Sequence, residues 1–197
     1  MTDLKKEQKE LYSPPREPVL VDVPPMSFLL IDGQGDPNGG EFMAAIEALY
    51  PAAFTLKFSL KAEGLDFTVM PLEALWWADD PSAFLGGRTS EWKWSAMIRQ
   101  PDEVTAEQVA AAVEQATKKK NLPALANVRL DRLDEGRCAQ VMHVGPYDAE
   151  RPTIEKMFAF IAAQSLQPRG KHHEIYLSDP KRTAPEKLKT VIRQPAG

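Results

Sequence analysis

Residues 94–101 read "WSAMIRQP" and residues 188–195 read "LKTVIRQP", two segments that close on the same four letters. Four shared residues count as a repeat only if their surroundings agree. Before the first copy, "VLVDV" (19–23) and "MSFLLIDG" (26–33) flank Pro24-Pro25; before the second, "NVRLDRL" (127–133) and "CAQVMHVG" (138–145) flank "DEG" (134–136). Both arrangements read as hairpins. A helical stripe follows each: Phe42, Ile46 and Leu49 in one case, Ile154, Met157, Phe158 and Ile161 in the other. Two strand candidates complete each half, "DFTVMPLEALWW" (66–77) with "EWKWSAMIRQP" (91–101), and "HHEIYLS" (172–178) with "LKTVIRQP". Each half therefore reads strand, strand, helix, strand, strand.

Between the halves, "TAEQVAAAVEQATKKKN" (105–121) predicts a linking helix over about 105–120. Thr105 and Gln108 have capping-box spacing, the alanines favour helix, and Lys118, Lys119 and Lys120 suit the negative end of the helix dipole. The expected organisation is an arm over 1–18, loose and polar, then one binding domain over 19–197, with repeats at about 19–101 and 127–195. The class is α+β, with antiparallel sheets, helices on one face of each, and a ligand cleft where the two pseudo-symmetric halves meet.

At 197 residues, 43% hydrophobic and net charge −4, the composition is that of a foldable soluble protein, not of a disordered chain or a generic nucleic-acid binder. A single cysteine, Cys138, excludes an intramolecular disulfide, and the N-terminus lacks the apolar core of a signal or anchor. The cytoplasm is the expected compartment, with neither membrane nor direct nucleic-acid partners.

In "GKHHEIYLSDP" (170–180), strand alternation puts Glu174 and Tyr176 on one face and His173 and Ile175 on the other. Setting "PLEALWW" beside "HHEIYLS" makes Glu73 the counterpart of Glu174. The tryptophans Trp76, Trp77, Trp92 and Trp94 are clustered, and Trp92 and Trp94 share a face. Any one of them reads first as core, while the cluster also suits a site for flat or cationic molecules; at least one of each pair is expected to line the cleft. Adjacent His172 and His173 point oppositely in a strand, so no metal site is expected. His143, in "HVGPYD" (143–148), reads as an orienting group for the loop that bears Tyr147 rather than as a general base. "DGQGDPNGG" (32–40) lacks the Lys-Ser/Thr of a phosphate loop and carries acids that repel phosphate, so it reads as a flexible rim. No cofactor is called for.

With these residues in place, the doubled pattern, "HHEIYLSDP" (172–180), "HVGPYD" and "PLEALWW" resemble the GyrI-like small-molecule-binding proteins, which include effector domains of multidrug-responsive regulators. The resemblance runs from about Val19 to Pro195. It implies paired SH2-like βαββ motifs around a groove, with a buried glutamate that meets cationic aromatic drugs; here that residue is Glu174, with Tyr176 beside it. It further implies that stand-alone relatives hydrolyse cyclopropane-bearing DNA-alkylating compounds with a glutamate and aromatic residues. Regulators of this kind carry a helix-turn-helix before the ligand module, whereas about eighteen residues precede Val19 here. The chain is therefore expected to act as a free-standing binder, as an enzyme, or through a protein partner.

A carboxylate among rings is expected to carry a raised pKa until a cation or a hydrogen-bond donor arrives. Glu174 would bind the cation or serve as general base, and Tyr176 or Tyr147 would steady a developing oxyanion. Glu73, Trp76, Trp92, Trp94 and His143 complete the expected ligand-binding set.

Overall fold

The computed structural model describes residues 1–80 and 87–197. In chain order its elements are α1 (Leu4–Glu7), α2 (Lys9–Tyr12), β1 (Val19–Val23), β2 (Met26–Gln34), α3 (Gly40–Ala62), β3 (Leu72–Trp77), β4 (Lys93–Gln100), α4 (Ala106–Lys119), β5 (Arg129–Leu133), β6 (Gly136–Val144), α5 (Arg151–Ala163), β7 (His172–Tyr176) and β8 (Lys189–Pro195). The fold is α+β with antiparallel pairing, and the chain forms two compact units. One holds residues 1–4 and 26–133, the other residues 5–25 and 134–197.

In the first unit the strands run β3-β4-β2-β5, and in the second β7-β8-β6-β1. The second strand of each order, β4 in one and β8 in the other, carries the shared "IRQ" segment, so the two sets of strands have the same plan. The outer strands, however, are exchanged. β1 pairs with β6 (Val21 opposite Cys138) rather than with β2, and β5 pairs with β2 (Leu130 opposite Leu29) rather than with β6. The expected hairpins are therefore corrected. A two-residue hairpin turn needs positive φ at one or both positions, and proline holds φ near −65°; Pro24-Pro25 cannot fold β1 back on β2. In the other link Glu135 is buried in an ionic cluster and the positive φ falls at Gly136, inside β6.

In the first unit α3 lies on one face of the sheet through Phe42, Leu49 and Leu56, and the Phe42 ring meets Trp76 at 4.9 Å and Trp94 at 5.1 Å. Gly33 stands opposite Trp94 in the ladder, and a β-carbon there would come within 2.3 Å of the indole. The "DGQG" segment thus gives a sheet residue that must lack a side chain, alongside whatever turn it makes. α4 starts on a complete capping box, Thr105 Oγ1 accepting from Gln108 N–H while Gln108 Oε1 accepts from Thr105 N–H.

In the second unit α5 covers Ala139, Val141 and Ile192 with Met157 and Ile161. The opposite face carries Gln140, His173 and Arg193, and the N-terminal residues close over it. Leu11 and Tyr12 are buried; Arg193 donates to the Leu11 carbonyl at 2.8 Å, Gln140 to the Glu10 carbonyl at 2.6 Å, and Met142 N–H to the Pro15 carbonyl at 2.8 Å. The loose arm expected over 1–18 is thus corrected: its mixed charges conceal an apolar pair, Leu11-Tyr12, and backbone acceptors that a buried guanidinium needs.

Candidate functional site

Alternation along β7 sets His172, Glu174 and Tyr176 on one face, and the ladder continues it through Ile192 and Thr190 on β8 to Val141 and His143 on β6. This is the face that α5 covers. Glu174 consequently lies on the helix side of the sheet, beyond the apolar patch and beside the loop that leads into α5.

Both oxygens of Glu174 are engaged. His172 Nε2 lies 3.2 Å from Oε1, and the Tyr176 hydroxyl donates to Oε2 at 2.6 Å. The Tyr147 ring meets that of Tyr176 edge-on, 5.6 Å between centroids at 80°, and Tyr147 is 39% exposed, so it gives this cluster its open side. Burial raises the Tyr147 hydroxyl above its ordinary range, and the nearby charges of Glu150, Glu174 and Asp179 add to that.

Glu150, immediately before α5, reaches the same place and is 4% exposed. Burial, followed by the charge of Glu174, pushes its carboxyl up to about 9. Its Oε1 and the Thr190 hydroxyl oxygen are buried without hydrogen-bond partners. Glu174 moves the other way. Burial raises it, but the bonds from His172, Tyr176 and Glu150 outweigh burial and hold it below the ordinary carboxylate value. The rise expected at Glu174 in the absence of a donor is relieved by the chain's own Tyr176 and His172, and the carboxyl that is raised is that of its neighbour Glu150. The charge of one carboxylate raises the other, so the two titrate as a pair rather than independently.

His143 is tied down at both ring nitrogens, Nδ1 lying 2.9 Å from Thr153 Oγ1 and Nε2 3.3 Å from the Pro146 carbonyl. Those bonds fix the loop before Tyr147, where Gly145 has φ of 146°.

His173, on the other face, has Nδ1 3.0 Å from both oxygens of Glu135, whose Oε2 also accepts from Arg193 at 3.3 Å. Burial alone would raise Glu135; His173 and Arg193 reverse this and bring it to about 2. This second ionic cluster anchors the N-terminal residues.

The other expected site residues lie in the first unit. Glu73 is buried and stands opposite Met97, while Glu174 stands opposite Ile192. With the two "IRQ" segments superposed, Ile192 matches Ile98, and Ile98 faces Leu72. Leu72 is therefore the counterpart of Glu174, and Glu73 that of Ile175, so the expected pairing is corrected by one residue and hence by one face. Trp76 and Trp94 face each other in the ladder and are buried against Phe42, whereas Trp92 is partly exposed and meets Trp76 edge-on at 5.9 Å. Glu73 points to the face opposite Trp76 by strand alternation.

Glu150 and Thr190 are the members that sequence reasoning missed. Pro152 marks the start of a helix and so places Glu150 at its cap, but nothing local aims that carboxyl at β7. Among the described residues no group of three His, Cys, Asp or Glu side chains could hold a metal ion, and no helix is long and apolar enough to cross a membrane.

The sequence pattern of the GyrI-like small molecule binding domain matches residues 16–196. An uncharacterized conserved protein from Listeria innocua is 42% identical, with a TM-score of 0.94 and all of both chains covered. A protein described as a hydrolase from Listeria innocua is 41% identical, with a TM-score of 0.88 and all of both chains covered. The C-terminal domain of EcmrR shares the fold at 11% identity, with a TM-score of 0.59, 92% of this chain and 97% of that one covered. No curated protein matches.

Proposed function

Given that this chain belongs to the GyrI-like small-molecule-binding domain family, we propose that Glu174, Tyr176, Tyr147 and Glu150 form the centre of a hydrolase for flat aromatic electrophiles. The observation that carries this reading is geometric: Glu174, held at its two oxygens by His172 and Tyr176, shares one partly buried cluster with Tyr147 and with the buried carboxyl of Glu150, whose surroundings favour its protonated form. The full-length likeness to a Listeria innocua protein described as a hydrolase supports it.

In a cyclopropane-bearing substrate conjugated to a carbonyl, Glu174 takes a proton from water as the water oxygen bonds to the strained ring carbon. The carbon–carbon bond of the ring breaks, its electron pair passes into the conjugated system, and the oxyanion so formed accepts a proton ultimately held by Glu150. The product is the substrate plus one water. Tyr176 holds Glu174 in place, since its hydroxyl is already committed there, and the exposed Tyr147 is the ring and hydroxyl available to the ligand.

A second reading is reversible binding of flat organic cations, as in sequestration of xenobiotics. Its support is that, among the described residues, no Lys or Arg forms an ion pair with Glu174; His172 is the basic group beside it. A cation would then supply the missing positive charge. Incubating the protein with a cyclopropane-bearing aromatic alkylator and with flat cationic dyes, followed by mass spectrometry, separates the two. Gain of one water that Glu174→Ala abolishes supports hydrolysis, and binding without conversion leaves sequestration.

A further inference from the structure

The first unit carries an aromatic ladder that neither its core nor the proposed site uses. Tyr50, Phe54 and Phe58 recur every fourth residue of α3, and their rings lie nearly parallel, each 6.4 Å from the next. Phe54 is 45% exposed and Phe58 62%. Exposed helix positions ordinarily take residues that favour water and helix alike, so two consecutive phenylalanines on such a face need an occupant. They form one wall of a groove of about 600 Å³, and Ala116, Lys119 and Lys120, at the end of α4, form the other.

The groove is open, and its walls carry no buried polar group that would orient a small molecule. Its apolar wall repeats at the pitch of a helix, since four residues advance about 6 Å. A second helix laid along α3 would set its own every-fourth side chains between the rings. Charge completes the match. Lys118 is paired with Glu114 at 2.6 Å, but Lys119 and Lys120, exposed at the rim, make no ion pair among the described residues. They suit the C-terminal end of α4, and they also present two ammonium groups to whatever enters.

We propose that the groove between α3 and α4 docks an amphipathic helix of a partner protein, with aliphatic side chains on the aromatic ladder and Asp or Glu against Lys119 and Lys120. This surface is separate from the Glu174 cluster, and the inference stands whether that cluster hydrolyses or only binds.

The test uses the full-length protein and two fluorescein-labelled helical peptides of about 18 residues, five turns, with leucines on one face and either glutamates or lysines flanking it. Anisotropy gives affinity, and nitrogen–proton NMR maps the contact. The glutamate peptide should bind and shift the amides of 50–58 and 116–120. Phe58→Ser and Phe54→Ser together should weaken it about tenfold or more, the scale of losing a central aromatic anchor. Both substitutions are at exposed positions, and far-UV circular dichroism verifies the fold. Lys119→Glu with Lys120→Glu should invert the preference toward the lysine peptide. Equal affinity for both peptides, absence of binding, or shifts elsewhere would overturn the proposal. So would sedimentation showing a dimer that Phe58→Ser dissolves, because the occupant would then be a second copy of this chain.

Discussion

Tyr176 donates its hydroxyl to Glu174 Oε2 across 2.6 Å, from a position two residues further along the same strand. The bond makes the tyrosine a brace for the carboxylate. It also separates the roles of the two tyrosines, because Tyr147, edge-on to Tyr176, keeps an exposed side.

Glu174→Ala is expected to abolish conversion of a cyclopropane-bearing substrate, while Tyr176→Phe lowers kcat with a smaller change in KM. Tyr147→Phe is expected to act on both, through the developing oxyanion and the bound ground state. Single-turnover mass spectrometry and steady-state kinetics distinguish these patterns. Equal kcat for wild type and Tyr176→Phe would remove the bracing role.

Glu150 has its folded value at about 9, above its ordinary 4.5. Between those values the folded protein holds one proton more than the unfolded chain, so this residue makes stability fall as pH rises through the window and level off above it. Glu150→Gln should flatten that slope. Urea unfolding at pH 5, 7 and 9 measures it, and parallel curves for wild type and variant would show that Glu150 is ionised when folded.

The same pair predicts proton release on cation binding. A cation beside Glu174 favours the fully ionised pair and drives out the proton held by Glu150. Calorimetry of one cationic dye at pH 7, in two buffers of different ionisation enthalpy, should therefore give different apparent enthalpies. Identical values would mean that no proton moves.

Glu135 behaves in the opposite sense. Its folded value of about 2 lies below 4.5, so its contribution is fully present above pH 4.5 and is lost as pH falls toward 2. Arg193→Met leaves Glu135 and the Leu11 carbonyl without the guanidinium, and is expected to cost about 3–5 kcal/mol. Leu11→Ala should cost about 2–5 kcal/mol by leaving a cavity. Denaturant titration checks both; wild-type stability in either variant would mean that the N-terminal residues contribute nothing to the fold.

Gly33→Ala is expected to destabilise the first unit by about 1–3 kcal/mol, the usual cost of overpacking, because its β-carbon would meet the Trp94 ring. Intrinsic fluorescence should report the displaced indole along with the lowered unfolding midpoint. An unchanged spectrum and midpoint would contradict the close approach of Gly33 and Trp94.

The elements themselves were legible in the chain because their causes are local. The "IRQP" ends marked the repeat, apolar spacing marked α3 and α5, and Thr105 with Gln108 marked the start of α4. Alternation likewise placed Glu174 and Tyr176 on one face. Pairing is different, since a strand's partner is chosen by long-range packing: only the ladder showed that β1 and β5 are exchanged, and that Leu72 rather than Glu73 matches Glu174.

The chemistry divides along the same line. Sequence determined that a glutamate and a tyrosine share a strand face in a GyrI-like chain. Tertiary structure alone brought in Glu150, 24 residues before Glu174 in the chain, and Thr190 from the neighbouring strand. Residue type says that a carboxyl can ionise. Which of two carboxyls keeps the proton depends on burial, on the other's charge and on the hydrogen bonds that each receives, and these are fixed only when separate strands and a helix start converge.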